Sequence, residues 1–167
     1  MAKEKKYILQ RDIIDKKLNR LALEIVENNI DEEELYFVGI ETSGVILAKR
    51  LQKLVGDIKN NVKIVLLTLQ IDKQKPEDIL LSSEINFDEK VVILIDDVTN
   101  SGKTLLYALK PFLQFHPKKI QTLVLVERTH AQFPVSANYK GFSLATTLQE
   151  HITIEIMGDA ITGAYLS

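Results

Sequence analysis

Between residues 12 and 29, apolar side chains recur at Ile14, Leu18, Leu21 and Ile25, with Ile13, Ala22 and Val26 beside them. That spacing of three and four predicts one amphipathic helix with a single buried face. Residues 35–40 are apolar without helical period and end in Glu41-Thr42-Ser43-Gly44, so a strand entering a turn-prone loop is expected. Val45, Ile46, Ala48, Leu51, Leu54 and Val55 restore the helical spacing, and Gly56 stands where such a helix would stop.

Residues 62–69 form a second β-rich run, and the polar segment 70–78 after it, with Pro76 and alternating charge, reads as a mobile loop. Val91-Val92-Ile93-Leu94-Ile95 is apolar at every position, the pattern of a central strand covered on both faces. A helix over residues 103–112 follows, with Pro111 tolerable only near its end, and then a buried strand over 120–126. The C-terminal part predicts a loop over 134–141 and an alternating strand over 152–156. Strands alternating with helices imply an α/β fold, a mainly parallel twisted sheet with helices on both faces and right-handed crossovers. With no repeat, linker or low-complexity tract in 167 residues, a single domain over residues 1–167 is expected.

Composition narrows the function classes. There is no cysteine, so thiolate metal sites and disulfides are excluded and packing must carry the stability. The charged start Met-Ala-Lys-Glu-Lys-Lys-Tyr is unlike a signal peptide, and no apolar run approaches the ~20 residues that span a bilayer, so a cytoplasmic location with no membrane partner is expected. A net charge of −2 and a pI near 5.9 argue against a dedicated nucleic-acid binder. Lys3, Lys5, Lys6, Lys16, Lys17 and Arg20 bias the first twenty residues toward positive charge, and solvated surface accounts for them.

In open α/β sheets ligands bind beyond the carboxyl ends of the strands. After Ile95 comes Asp96-Asp97-Val98-Thr99-Asn100-Ser101-Gly102-Lys103-Thr104. Two adjacent carboxylates at the end of a buried strand are costly to desolvate unless hydroxyl donors, a cation or water pair with them. Residues 100–104 are small, hydroxyl-rich and placed at a predicted helix N-terminus, where backbone N–H groups and the helix dipole attract an anion. A diol beside a phosphate, as in ribose 5-phosphate, satisfies both features. Ser101 and Thr104 also suit ordinary N-capping, and the aspartates suit ion pairing. Gly102-Lys103-Thr104 copies the end of a P-loop, but the glycine required five positions earlier is Asp97.

These residues carry a resemblance. The run from Val91 to Leu105 is similar to the signature of type I phosphoribosyltransferases: an apolar strand, two acids and a small-residue loop ending in Gly-x-Thr. Residues 37–44 fall where that family keeps its pyrophosphate-binding loop. Residues 125–130, 133–135 and 137–141 resemble one branch in particular, the bacterial pyrimidine-operon attenuation regulator that is also a uracil phosphoribosyltransferase. The resemblance implies transfer of phosphoribosyl from phosphoribosyl diphosphate to a nucleobase, with uracil favoured. It implies that Asp96 and Asp97 hold the ribose hydroxyls and that Asn100, Ser101, Gly102, Lys103 and Thr104 wrap the 5-phosphate, with Val98 and Thr99 in the same substrate-facing segment. It further implies that Thr42, Ser43 and Gly44 meet the pyrophosphate and that Arg128 and His130 reach substrate. Mg²⁺ is then carried by the diphosphate, with Asp96 or Asp97 as its nearest protein oxygens. A homodimer and an RNA partner belong to the same implication.

The sequence departs from the branch at several positions. Glu41 and Ser43 replace basic residues on either side of Thr42; an acid there repels pyrophosphate and weakens the case for turnover. The 70–78 segment offers Lys73 and Lys75 in place of an arginine and acids, and Ala131 and Ser136 replace arginines expected to contact RNA. Asn100 stands where purine-specific members keep an acidic general base, which disfavours purine transfer. A non-catalytic regulator of pyrimidine metabolism that binds a nucleotide, and RNA in some contexts, is therefore the second reading. Arg128 also has a bland role, pairing with Glu127 or the end of the sheet, and a lone loop histidine such as His130 is commonly just solvated.

Overall fold

The computed structural model describes residues 4–72, 74–75, 78–147 and 150–167, so Lys3, Lys73 and Pro76 lie outside the described residues. Its main sheet has six strands in the order β4-β3-β2-β5-β6-β7: β2 (Glu34–Ile40), β3 (Lys63–Ile71), β4 (Ile79–Leu81), β5 (Val91–Thr99), β6 (Lys119–Arg128) and β7 (Tyr139–Leu144). All neighbours are parallel except β3 and β4, which form an antiparallel ladder. A smaller antiparallel sheet joins β1 (Lys6–Gln10), β9 (Ala160–Leu166) and β8 (Ile152–Met157) in that order.

Helices α1 (Arg11–Asn28) and α2 (Glu41–Ile58) cover one face of the main sheet. The predicted stripe of α1 is its buried face, with Ile14, Leu18, Leu21, Ala22 and Ile25 inside. Helix α3 (Lys103–Ala108) and a 3₁₀ turn at Lys110–Phe112 cover the other face, together with Phe87, whose ring meets Tyr36, Phe112 and Phe115 edge-on. The expectation of helices on both faces of a parallel sheet therefore holds.

Four local expectations are corrected. Residues 41–44 are not a loop: β2 passes directly into α2 through Glu41, whose φ of 43° makes the whole turn in one residue. Gly56 lies within α2, which runs on to Ile58. The helix expected over 103–112 breaks after Ala108 and resumes as the 3₁₀ turn containing Pro111, which cannot donate a backbone hydrogen bond to continue the α-helix. Residues 139–141 belong to β7, not to a loop, because β6 offers them a free parallel edge.

At the opposite end of the sheet from the expected site, the Glu34 carboxylate accepts a hydrogen bond from the Tyr36 hydroxyl at 2.5 Å and lies 3.3 Å from both Lys63 Nζ and Lys90 Nζ. The Tyr36 hydroxyl and then the two ammonium groups hold its pKa at about 2, below the ordinary 4.5. The Tyr36 hydroxyl is pushed up to about 12, by burial first and then by Glu34. A carboxyl depressed on folding stabilises the native state above its ordinary pKa and ceases to do so as pH falls toward the depressed one. Acid unfolding monitored by circular dichroism should therefore show a loss of stability between about pH 4.5 and 2 that Glu34→Gln removes, at a cost of roughly 1 kcal/mol at neutral pH. An unchanged acid limb in the variant would place the acid sensitivity elsewhere.

Candidate active site at the sheet's switch point

The chain leaves β2 for β3 on one side and leaves β5 for β6 on the other, so the strand order reverses between β2 and β5. That is where an open α/β sheet leaves a crevice at its carboxyl edge. The crevice exists because β2 pairs with β5 only as far as Gly39 opposite Ile95, while β5 continues beside β6 to Thr99. Asp96 and Asp97 therefore belong to the strand rather than following it, with one edge of their backbone facing the start of α2.

Asp96 is buried, at 2% exposure, and its Oδ1 accepts the backbone N–H of Asp97 at 2.9 Å. Asp97 is half-buried and holds both ends of its own carboxylate: Oδ1 accepts the Val98 N–H at 2.7 Å and Oδ2 accepts the Ser43 hydroxyl at 2.8 Å. That last bond ties the first turn of α2 to the end of β5. The approach is close because residue 44 is glycine; a Cβ there would sit 2.6 Å from the carbonyl oxygen of Ile95. Thr42 is exposed beside it.

The Glu41 carboxylate is turned the other way, and its Oε1 accepts the backbone N–H of Ile71 at 3.3 Å. It lines an open groove of about 880 Å³ on the β3 side of α2, with Thr42, Lys49, Gln70, Asp72 and Asp78. The groove reaches Thr42 but not Asp97, so the groove and the acidic pair flank the start of α2, the expected leaving-group segment, from opposite sides.

Beyond Thr99, which is buried, Asn100 is exposed and Ser101 is half-buried, and the chain turns through Gly102 at φ 86° into α3. The Ser101 hydroxyl accepts the Lys103 N–H at 3.3 Å, and the Ser101 carbonyl accepts the N–H groups of Gln132 and Phe133, both at 2.9 Å. Residues 100–104 are thereby fastened to the loop between β6 and β7. A Cβ on Gly102 would stand 3.2 Å from the carbonyl oxygens of both Phe133 and Val135. Gly102→Ala should cost about 1–3 kcal/mol, from the left-handed backbone and the crowding together, and thermal unfolding should register it. A melting temperature equal to that of the wild type would show that the turn adopts another shape.

Arg128 does not pair with Glu127. Its Nε donates to the Thr146 hydroxyl at 2.6 Å, its Nη2 to the Thr147 carbonyl at 2.7 Å and its Nη1 to Asn100 Oδ1 at 3.4 Å. Asn100 and Arg128 thus come together at one rim of the crevice. His130 is exposed in the loop that follows. Glu127 was not singled out by its sequence position, yet it is buried and fixes that loop: it accepts from the Ala137 N–H and the Ser136 hydroxyl, each at 3.2 Å, and from Lys140 Nζ at 2.7 Å. Burial acts to raise its pKa, but Lys140 and the Ala137 N–H outweigh it and hold the carboxyl below the usual range. An acid closing the apolar run Leu123–Val126 was the available signal.

Among the described residues, no group of three or more His, Asp or Glu side chains is placed to hold a metal ion, and no helix is long and apolar enough to cross a membrane.

A family model for the phosphoribosyl transferase domain matches residues 6–155. The chain belongs to the phosphoribosyltransferase family. It is 36% identical over 165 residues to the Bifunctional protein PyrR of Pelotomaculum thermopropionicum, covering 93% of this chain and 91% of that protein. It is 34% identical over 166 residues to the Bifunctional protein PyrR of Bacillus cereus, covering 92% and 91%. Among solved structures, the hypoxanthine phosphoribosyltransferase of Trypanosoma cruzi superposes with a TM-score of 0.76 at 16% identity, over 88% of this chain and 84% of that one. A hypoxanthine-guanine phosphoribosyltransferase from Bacillus anthracis gives 0.70 at 19%, over 83% and 82%. The structural likeness at those identities is one of fold.

Proposed function

We propose that this phosphoribosyltransferase transfers the phosphoribosyl group of phosphoribosyl diphosphate to uracil. The C1–oxygen bond to pyrophosphate breaks, a bond from C1 to a ring nitrogen of the base forms, and the proton that nitrogen carried is lost to solvent or to the departing pyrophosphate. The observation that carries the proposal is the Ser43–Asp97 hydrogen bond at the switch point, which ties the leaving-group segment to the acidic pair immediately upstream of the 100–104 turn.

In this reading Asp96 and Asp97 accept hydrogen bonds from the ribose hydroxyls, and Asn100, Ser101, Gly102, Lys103 and Thr104 surround the 5-phosphate at the start of α3. Thr42, Ser43 and Gly44 take the pyrophosphate end. Because the sugar passes through an oxocarbenium-like state, the protein's work is to hold both reactants in line and to supply charge complementary to the departing diphosphate. The donor set suits Mg²⁺: Asp96 and Asp97 offer hard oxygens, already partly engaged by backbone and Ser43 donors, so the ion would be held mainly by the substrate's phosphates. When bound, Mg²⁺ neutralises leaving-group charge.

Uracil is favoured over a purine because Asn100 is neutral and its carbonyl oxygen faces Arg128, an arrangement unsuited to taking a proton from a purine ring. The shared name of the PyrR relatives, a bifunctional protein, supports a second role beside transfer; the resemblance to the regulator branch makes regulation, with RNA and a homodimer, the role it implies. Pyrophosphate release measured with uracil, hypoxanthine, guanine and no base tests the reading. Release that depends on uracil supports it; release with purines, or with no base preferred, overturns it.

A further inference from the structure

A second cavity, of about 370 Å³, lies on the outer side of α1 and α2, away from the residues assigned to transfer. Its walls are the first turns of α1, the middle of α2 and the turn between β8 and β9. Its floor is made of the edges of core side chains: Leu18, Leu47 and Ile161 are 3%, 0% and 7% exposed. Interior packing therefore sets its shape, as in pockets formed before their ligand arrives. The rim is of the opposite character, with Arg11, Lys49, Arg50 and Lys53 against only Asp15 and Asp159.

This concentration of cations stands out in a chain whose net charge is −2. Arg11, Lys49 and Arg50 form no ion pair with a described residue, and Lys53 reaches only Asp57, at 3.6 Å on the open surface. Arg11 is also the first residue of α1, where the helix dipole disfavours a cation, so the helix itself does not account for it.

We propose that this cavity binds a small phosphorylated ligand with an apolar or aromatic body, of the size of a mononucleotide. The aliphatic floor would cover the body, and the guanidinium forks of Arg11 and Arg50 would take the phosphate, a geometry that guanidinium matches bidentately. The volume lies within the range of small-molecule sites. None of these residues is assigned a part in the transfer reaction, although Ile46 and Lys49 also line the groove beside Thr42.

The test is a titration of the full chain, labelled at its isoleucine methyls, with the four ribonucleoside 5′-monophosphates, ribose 5-phosphate and inorganic phosphate. At least one mononucleotide should saturably shift the Ile161 signal, which belongs to this cavity and not to the groove beside Thr42, and inorganic phosphate should bind more weakly by on the order of tenfold, because it leaves the floor uncovered. The shifts should persist in Asp97→Asn, which separates this cavity from the transfer site. Arg11→Gln with Arg50→Gln should weaken them on the order of tenfold or more while pyrophosphate release stays unchanged. Lys53→Gln, on the open rim, supplies a second variant should Arg11 prove necessary for α1 to form. The proposal is overturned by the absence of a saturable shift with every mononucleotide, by equal binding of inorganic phosphate, or by shifts that survive the rim variants. Single-stranded RNA displacing every mononucleotide at far lower concentration would also overturn it, in favour of a nucleic-acid surface. Failure of the transfer assay with the methyl shifts intact would remove the functional reading of the crevice and leave this one standing.

Discussion

Asp97→Asn is expected to weaken phosphoribosyl diphosphate binding by at least about tenfold while the protein stays folded. The carboxylate accepts from Val98 N–H and from the Ser43 hydroxyl, and in the proposed reaction also from a ribose hydroxyl. A hydrogen bond to a charged acceptor contributes roughly 1.5–3 kcal/mol, which corresponds to a factor between about ten and a hundred. The amide keeps one acceptor oxygen, enough for either Val98 or Ser43, so the fold should tolerate the change. Ser43→Ala provides the comparison: it removes a neutral donor from the same carboxylate and should cost only about 0.5–1.5 kcal/mol in binding, by loosening α2 against β5. Calorimetry that gives Asp97→Asn the affinity of the wild type would refute the ribose assignment. A loss in Ser43→Ala as large as in Asp97→Asn would instead make the carboxylate a positioning group for α2.

Much of this arrangement is legible along the chain because its central parts obey one periodicity each. The all-apolar 91–95 run, the stripe of α1 and the apolar run at 35–40 report burial directly, and burial is what side-chain pattern encodes. The strand β5 reaches beyond that run to Thr99 because β6 continues to pair with its backbone, through Asp96 opposite Val124 and Thr99 opposite Glu127. Backbone pairing of that kind leaves no mark in hydrophobicity. The same holds for β4 and for the half-exposed strands β1 and β9, whose short or mixed sequences become strands only beside a partner. Residues 41–44 have a loop's composition but a helix's backbone, since Gly44 admits a contact with Ile95 that any side chain would block. At the site, the acids and the small-residue turn are adjacent in sequence and readable together. The bond between Ser43 and Asp97 spans 54 positions, and the fastening of Ser101 to Gln132 and Phe133 depends on the β6–β7 loop folding back; neither has a local signature.

Glu41→Lys combined with Ser43→Arg is expected to raise phosphoribosyl transfer to uracil by about tenfold, and the structure shows what opposes the gain. The two changes delete the bond from Ile71 N–H to Glu41 and the bond from Ser43 to Asp97. Each such bond contributes about 0.5–1.5 kcal/mol net, and its loss falls mainly on stability. Against this, the repulsion of Glu41 is removed and two cations are placed beside Thr42, where in the proposed reaction pyrophosphate charge develops as the C1–oxygen bond breaks. A single preorganised donor at a developing anion is worth roughly 2.7–4 kcal/mol in comparable sites, so the electrostatic gain should exceed the loss. An arginine at 43 also has the reach to bond the Asp97 carboxylate, which would preserve the link between α2 and β5. The backbone at residue 41, with φ 43°, is as strained for lysine as for glutamate and does not change the balance. Because Glu41 is tied back to β3, its single replacement should account for less of the gain than the arginine at 43, and the two single variants measured separately will show the division. Should the wild type turn over briskly and the double variant run slower, Glu41 would be no handicap to the leaving group, and its bond to Ile71 would instead be what holds the segment around Thr42 in its working shape.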